Sequence, residues 1–257
     1  MSELVKNYGL LEAHISPNRA EMGVHAAKRI ADIINEAIAK NGEARVIFAS
    51  APSQNDMLAN LKLANIDWSK VTGFHMDEYV GIDKKAPQSF TKFLEDRLVD
   101  CVNMGHWYPF GGTEESVEAD LAKYTELLTE KPIDLVILGV GENGHLAFND
   151  PAFCDFNDKL VVKTVELDEV CRQQQVNDGC FASLDLVPRQ ALTITVPPLL
   201  NCKYKVAVVP GLTKRNAIKN TLLGEITEQC PASILRNTPN SELYIDYDSY
   251  EYVEDLK

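Results

Sequence analysis

Hydrophobic positions along the chain follow two alternating patterns, short apolar runs and longer stretches with a helical period. Residues 18–41 show the clearest helical pattern, because apolar side chains recur there three and four positions apart on one face. Asn18 and Glu21 form a capping box at the start of this stretch, and Gly42 suits its end. The pattern predicts a long amphipathic helix over residues 18–41.

The apolar runs predict strands, and the longest of them, residues 134–140, is the kind of run that a parallel sheet buries on both faces. We predict strands at residues 45–50, 71–76, 134–140, 160–165, 191–196, 205–209 and 242–245. Further helices are predicted at residues 54–61, 89–99, 114–128 and 213–223. This alternation favours a single α/β domain over residues 1–257, with a doubly wound, mostly parallel sheet and helices on both faces.

Composition and charge narrow the class of protein. Of the 257 residues, 45% are hydrophobic and 25% are charged, which is close to the globular average and allows a sizeable core. The formal net charge of −13 argues against nucleic acid or an anionic membrane as a partner, since both require a clustered cationic surface. An anionic small molecule would need a local basic pocket in this acidic protein.

The chain shows no pattern of export or of membrane insertion. No basic segment is followed by an apolar stretch at the N-terminus, and no apolar run approaches the ~20 residues that span a bilayer. The six cysteines form no CxxC pair and do not cluster with histidine along the sequence, which favours free thiols. We therefore expect a cytoplasmic protein without metal or cofactor. The oligomeric state is open, with a homo-oligomer as one alternative.

Ligands of doubly wound folds bind beyond the carboxyl ends of the strands, so the loops after the predicted strands carry the candidate site. The loop over residues 141–151 holds Asn143, His145 and Asp150 close together, and Gly144 lets its backbone turn tightly and approach a ligand. Imidazole titrates near neutral pH, so His145 is a candidate proton shuttle. The alternative is a capped turn whose histidine only bonds the backbone.

Two adjacent carboxylates, Asp77 and Glu78, follow the predicted strand at residues 71–76. Neighbouring side chains on an extended segment point to opposite faces, so only one of the two can face a ligand. A partly desolvated carboxylate there could act as a base towards a carbon acid. The alternative is that both are ordinary acids at a helix start.

The loop after the strand at residues 45–50 offers hydroxyl groups. Ser53, with Asp56 three residues further on, is a candidate N-cap, and the free N–H groups of a helix start are a usual setting for phosphate. Ser50 adds a second hydroxyl at the end of the strand. The alternative is a plain capped helix start without a ligand.

Two cations, Lys214 and Arg215, fall in the first turn of the helix predicted at residues 213–223. The helix dipole disfavours cations there by about 0.3–1 kcal/mol each. A bound anion, shared by Lys214 and the free N–H groups of the turn, would explain this placement. The alternative is that both side chains are simply solvated.

Four segments carry a resemblance to a known family: residues 75–81 (HMDEYVG), 138–151 (LGVGENGHLAFNDP), 187–193 (VPRQALT) and 211–217 (GLTKRNA). In order and spacing they resemble the glucosamine-6-phosphate deaminase/isomerase family, which shares its fold with the 6-phosphogluconolactonases. The likeness runs from about residue 18 to about residue 244. It implies a Rossmann-like fold of the sugar-phosphate isomerase type and a phosphorylated sugar as substrate.

The resemblance also implies roles for individual residues. Asp77 corresponds to the carboxylate that moves a proton between C2 and C1 of the substrate, and His145 to the histidine that assists opening of the pyranose ring. Lys214 corresponds to a phosphate-binding lysine, the loop at residues 49–54 to further phosphate contacts, and Tyr79 to a residue lining the same region. The implied reaction converts a hexosamine 6-phosphate into a ketose 6-phosphate and ammonia.

The chain departs from the family pattern at several places. In the phosphate loop, Ser50-Ala51-Pro52-Ser53 replaces a glycine pair and a threonine. Asn143 replaces an aspartate, and Asp150 replaces a glutamate that is one methylene longer and would reach further towards the histidine. We expect Asn143 to accept a hydrogen bond from the imidazole without adding negative charge. A phosphate-binding arginine of the family is absent from residues 175–178.

Two other functions remain as alternatives to the deaminase. One is a lactonase-like hydrolase in which His145 activates water. The other is a sugar-phosphate-binding protein without catalysis, which the altered residues around the histidine suggest. The AFNDP stretch after His145 favours the deaminase, and the presence of both Asp77 and His145 favours catalysis.

Overall fold

The computed structural model describes residues 3–254 except 114, 168 and 178, and within these residues eleven strands alternate with eight helices. The strands are β1 (Leu4–Tyr8), β2 (Leu11–Ser16), β3 (Ala44–Phe48), β4 (Val71–His75), β5 (Asp77–Tyr79), β6 (His106–Tyr108), β7 (Leu135–Leu138), β8 (Val162–Glu166), β9 (Gln190–Ile194), β10 (Tyr204–Val209) and β11 (Ser241–Asp246). The helices are α1 (Arg19–Asn41), α2 (Asn55–Leu61), α3 (Phe90–Arg97), α4 (Val117–Thr129), α5 (Glu169–Asn177), α6 (Val196–Asn201), α7 (Arg215–Leu223) and α8 (Tyr247–Glu254). No helix in this described part is long and apolar enough to cross a membrane.

Eight strands form the main sheet, in the order β1-β2-β11-β10-β7-β3-β4-β6. All neighbours are parallel except β1 and β2, which form an antiparallel edge. Alternate residues of the central strands enter two separate hydrophobic clusters: Ile137 of β7 packs with α1, α2 and α3, whereas Leu138 packs with α4, α6, α7 and α8. The predicted doubly wound, mostly parallel sheet with helices on both faces is confirmed.

The helix predicted over residues 18–41 is α1, and its predicted ends are confirmed. Asn18 Oδ1 accepts a hydrogen bond from the backbone N–H of Glu21 at 2.9 Å. Gly42 ends the helix in the left-handed conformation, with a φ of 81° that glycine adopts without strain. The buried face of α1 covers one side of the main sheet, so helix and sheet fix each other.

Three strands form a second, smaller antiparallel sheet in the order β5-β9-β8. The strands predicted at residues 160–165 and 191–196 are β8 and β9, so they exist but lie outside the main sheet. Only Met76 separates β4 of the main sheet from β5 of the small sheet, and Asp77 of β5 pairs with Thr193 of β9. The chain therefore passes directly from one sheet to the other at the position of the candidate base.

Several elements are not predicted from the sequence: β1, β2, β5, β6, α5, α6 and α8. The helix predicted at residues 114–128 is α4, which begins at Val117, and residue 114 lies outside the described residues. The predicted helix at residues 213–223 begins instead with a 3-10 turn over Leu212–Lys214. These differences matter for function, because α5 and the 3-10 turn both border the cavity described next.

Candidate active site

Four loops meet at the carboxyl edge of the main sheet and surround an open cavity. They follow β3, β4, β7 and β10, which are the strands whose loops the sequence analysis singled out. The cavity lining includes five of the nine predicted site residues: Ser50, Ser53, Asp77, His145 and Lys214. The fold therefore brings these five side chains, which are far apart in the sequence, to one place.

The two adjacent carboxylates at the start of β5 face opposite sides of the strand. Asp77 lines the cavity, although the residue is only 7% exposed. Glu78 is fully buried on the other side, where its carboxylate accepts hydrogen bonds from Ser89 Oγ at 2.8 Å and from the backbone N–H of Thr91 at 2.9 Å. Glu78 thus holds the first turn of α3, and Asp77 is the carboxylate that faces a ligand.

The surroundings of Asp77 favour its protonated form. Burial raises the pKa of this carboxyl well above its usual value, and the negative charges of Glu78 and Asp150 raise it further. A carboxyl group with a raised pKa is a stronger base when ionised, and it can both take up and deliver a proton. The environment is therefore suited to proton transfer at a carbon atom.

The imidazole of His145 lies against the backbone of Gly141. A Cβ atom placed on Gly141 would come within 2.4 Å of both ring nitrogens, so only glycine leaves room for the ring. Asp150 Oδ1 lies 2.9 Å from the Nδ1 of His145, and a carboxylate in this position holds a proton on Nδ1. The other ring nitrogen, Nε2, is then the one available to a ligand.

Asn143 binds the carboxylate of Asp150 rather than the imidazole. Its Nδ2 donates to Asp150 Oδ1 at 2.8 Å, and its Oδ1 accepts from the backbone N–H of His145 at 3.0 Å. The expectation that Asn143 accepts from the imidazole is wrong, because its side chain folds back into its own turn. The expectation that Asp150 is too short is also wrong, since it already contacts the histidine ring.

A third donor reaches Asp150 from α5. Burial alone would raise the pKa of Asp150, but the charge of His145 and hydrogen bonds from His145, Asn143 and Cys171 hold it below its usual value. Ligand atoms of His145, Asp150 and Cys171 lie within 4.8 Å of one another, although the sequence shows no cysteine near a histidine. A transition metal can use such nitrogen, oxygen and sulfur donors, so the absence of a metal stays a prediction.

The opposite part of the cavity presents groups suited to an anion. Ser50 is buried, and its Oγ has no hydrogen-bond partner among the described residues. Lys214 is also buried and lines the cavity. Arg215, the second predicted cation, turns away from the cavity and forms an ion pair with Glu251. Only one of the two predicted cations, Lys214, therefore faces a ligand.

Ser53 lines the cavity without capping α2. It lies within the 3-10 turn Pro52–Gln54, and α2 begins only at Asn55, with no side-chain hydrogen bond at its cap. The predicted N-cap role of Ser53 is therefore wrong, because the 3-10 turn leads directly into the helix. Its Oγ accepts a hydrogen bond from Gln54 Nε2 at 2.9 Å instead.

Two predicted ligand contacts, Tyr79 and Gly144, are absent from the cavity lining. Tyr79 is fully buried, and its hydroxyl donates to Gln175 Oε1 at 2.8 Å. Gly144 has a φ of 88°, and a Cβ there would lie 2.6 Å from the Sγ of Cys230. Tyr79 thus supports a lining residue from behind, and Gly144 lets its loop pack on Cys230.

Several lining residues were missed by the sequence analysis. Arg19 begins α1, and the helical pattern alone explains the sequence there, so nothing singled Arg19 out as a functional residue. Gln174 and Gln175 belong to α5, which no apolar periodicity predicted. The one sequence signal near Gln175 was that the phosphate-binding arginine of the family is absent from residues 175–178. The remaining polar additions are Thr213 and Cys180.

Comparisons with known proteins point to one family. The family described as glucosamine-6-phosphate isomerases/6-phosphogluconolactonase matches residues 17–245. A glucosamine-6-phosphate deaminase of Streptococcus pneumoniae is 31% identical over 236 residues, which cover 92% of this chain and 98% of that protein.

Solved structures agree as well. A monomeric glucosamine-6-phosphate deaminase superposes with a TM-score of 0.85 at 26% identity, covering 93% of this chain and 99% of that one. A 6-phosphogluconolactonase of Trypanosoma brucei shares the fold, with a TM-score of 0.76 at 15% identity and coverage of 96% and 99%. The chain belongs to the family of glucosamine-6-phosphate isomerases and 6-phosphogluconolactonases.

Proposed function

We propose that the protein converts a hexosamine 6-phosphate, of the glucosamine or galactosamine type, into a ketose 6-phosphate and ammonia. The observation that carries this proposal is that Asp77 and His145 face one cavity, which also holds Lys214 and the unpaired hydroxyl of Ser50. A phosphate monoester bound by Lys214 and Ser50 would place the sugar between the two proton-transferring groups.

The first step is opening of the pyranose ring by His145. Its Nε2 accepts the proton of the anomeric hydroxyl and returns a proton to the ring oxygen as the C1–O5 bond breaks, which gives the open-chain aldehyde. Asp150 stabilises the imidazolium formed on the way, because its carboxylate already binds Nδ1 at 2.9 Å. Asn143 keeps that carboxylate in place.

The second step is proton transfer by Asp77. Its carboxylate removes the proton from C2, and O1 takes up a proton while the amino group gives one up, so that an enolamine forms on the way. Asp77 then delivers its proton to C1, and the aldose becomes an imine at C2 and an alcohol at C1. Water then adds to the imine carbon and ammonia leaves, which yields the ketose. The raised pKa of Asp77 suits it to hold the transferred proton between the two carbons.

A lactonase is the second candidate function. The same His145 could activate water for attack on the carbonyl of a sugar-phosphate lactone, and several relatives with this fold are 6-phosphogluconolactonases. The deaminase is favoured because relatives with 30–31% identity to this chain are glucosamine-6-phosphate deaminases. A binding protein without catalysis is disfavoured by the joint placement of Asp77 and His145. We place the activity in the cytoplasm, where phosphorylated sugars are metabolised.

One experiment separates these functions. The protein is incubated with glucosamine 6-phosphate, galactosamine 6-phosphate and 6-phosphogluconolactone, and ammonia, ketose and acid release are assayed in parallel. Ammonia and ketose in equal amounts, lost in Asp77→Asn, support the proposal. Acid release alone supports the lactonase, and binding without any product supports the non-catalytic protein.

A further inference from the structure

The side of the cavity formed by α5 carries no positive charge among its described residues. Gln174 and Gln175 line the cavity there. The nearby arginine, Arg172, is buried and turned away, with its guanidinium donating to the backbone carbonyls of Leu184 at 2.6 Å and Val187 at 3.0 Å. The arginine that the family uses for phosphate therefore has no equivalent on this helix.

A cation reaches the cavity from a different element, the first turn of α1. Arg19 lines the cavity, and its side chain remains 41% exposed. Its guanidinium donates to the backbone carbonyl of Pro52 and to the carboxylate of Asp56. These two bonds use two of the five N–H groups of the guanidinium, so others remain for a ligand.

Arg19 is held in this position by the contact between α1 and α2. A Cβ atom on Gly23, one turn further along α1, would lie 2.7 Å from the Cβ of Asp56, so the two helices approach as closely as glycine allows. The cap at Asn18 fixes the preceding residue. The guanidinium is therefore positioned beside the loop that carries Ser50, whose buried hydroxyl lacks a partner.

We propose that Arg19 is the second phosphate-binding cation of this protein and takes over the role of the missing arginine on α5. The inference rests on the proposed function in that it requires a phosphorylated substrate. A phosphate monoester carries a charge of about −1.5 to −2 at pH 7, which Lys214 alone does not neutralise. Arg19 adds the second positive charge from α1, next to the loop at residues 50–53.

The competing explanation is that Arg19 only braces this loop through Pro52 and Asp56. The two explanations differ in the role of Asp56. If Arg19 binds phosphate, Asp56 competes with the anion for the guanidinium, and its removal leaves binding unchanged or stronger. If Arg19 is only a brace, removal of Asp56 breaks the brace and weakens binding as removal of Arg19 does.

The test measures binding of inorganic phosphate by titration calorimetry to the wild type and to three variants, Arg19→Gln, Asp56→Asn and Arg215→Gln. We expect Arg19→Gln to weaken binding roughly tenfold, which corresponds to ~1.4 kcal/mol. Asp56→Asn should bind as well as the wild type or better. Arg215→Gln is the matched control, since this arginine pairs with Glu251 outside the cavity, and its affinity should not change.

Each outcome decides a different question. Equal affinity of wild type and Arg19→Gln overturns the inference, and so does parallel loss in Arg19→Gln and Asp56→Asn. No phosphate binding by the wild type would contradict the proposed function itself. Thermal unfolding of each variant shows whether a loss of binding comes from a loss of folding, and Arg19→Lys, which keeps the charge, should recover part of the affinity.

Discussion

The two ends of the cavity are organised differently. At the reacting end, polar side chains bind one another: the carboxylate of Asp150 binds both the imidazole of His145 and the side chain of Asn143. At the phosphate end, the hydroxyl of Ser50 has no partner among the described residues, and Lys214 faces the cavity. The imidazole of the reacting end is thus positioned before a ligand arrives, whereas the Ser50 hydroxyl of the phosphate end can take its partner from the ligand.

The largest effect that this comparison predicts is on turnover. Asp77→Asn should lower kcat by about 10²–10⁴-fold, because it removes the group that moves the proton. Binding of the phosphorylated sugar should remain nearly unchanged, since that affinity arises at the other end. Steady-state ammonia release and calorimetric binding measure the two quantities separately.

The neighbouring carboxylate is the matched control for this variant. Glu78→Gln should lower kcat far less than Asp77→Asn does and should lose stability instead, because its amide would set a donor against the N–H groups of α3. If Asp77→Asn lost binding of the phosphorylated sugar but kept kcat, catalysis and phosphate binding would not be divided between the two ends of the cavity.

The next effect concerns affinity. Lys214→Ala should weaken binding of phosphorylated sugars and of free phosphate by ~1.5–3 kcal/mol, as expected for a charge-assisted hydrogen bond. The rate at saturating substrate should fall much less. Arg215→Ala, one residue further on, should change neither quantity. Identical phosphate affinity in Lys214→Ala and wild type would show that this lysine does not contact the anion.

A smaller effect is expected on stability as the pH changes. The folded protein raises the pKa of Asp77, so above the ordinary pKa of aspartate it binds a proton that the unfolded chain has released. Stability is therefore lost as the pH rises through this window, by up to about 1.4 kcal/mol for each pH unit. Asp77→Asn should remove this loss. The free energy of unfolding of the variant, measured with urea, should therefore rise relative to that of the wild type as the pH increases. A constant difference would contradict the buried environment assigned to Asp77.

The smallest effect is expected from Asn143→Asp. The family usually has aspartate here, but in this chain Asn143 donates to Asp150. Two carboxylates in contact would raise the pKa of Asp150 and loosen its hold on His145. We expect activity to fall a few-fold, and to fall most at low pH, where Asp150 would be protonated. A pH–rate profile that is unchanged would show that Asp150 needs no donor from residue 143.

The sequence predicts best where a local pattern determines the outcome. The ends of α1 follow from Asn18 and Gly42, and the central strands follow from their apolar runs. The pattern fails for β8 and β9, because an apolar run does not reveal which strand it will pair with. It also fails at the edge, where β2 shows alternating burial at Leu11, Ala13 and Ile15 but was not recognised.

The site residues divide in the same way. Asp77 and His145 were found because each follows a strand whose carboxyl end faces the cavity. Arg19 and Cys171 were not found, because only tertiary contacts bring α1 and α5 to the loops. The role of Asn143 depends on a side-chain rotamer, which sequence alone does not determine. Residues at the ends of predicted strands can thus be assigned to the site from the sequence. Residues that only contacts between distant elements bring there can be assigned only from the three-dimensional structure.

The passage from β4 to β5 through Met76 has a consequence for protein engineering. Asp77 belongs to the small sheet, where it pairs with Thr193 of β9, while the residues at the phosphate end extend from the main sheet. Grafting the loops after β3 and β10, together with the first turn of α1 that carries Arg19, onto another doubly wound scaffold should therefore transfer recognition of phosphate alone. A working catalyst would require β5, β8 and β9 to be transplanted together, because the position of the base is encoded in a separate three-stranded module.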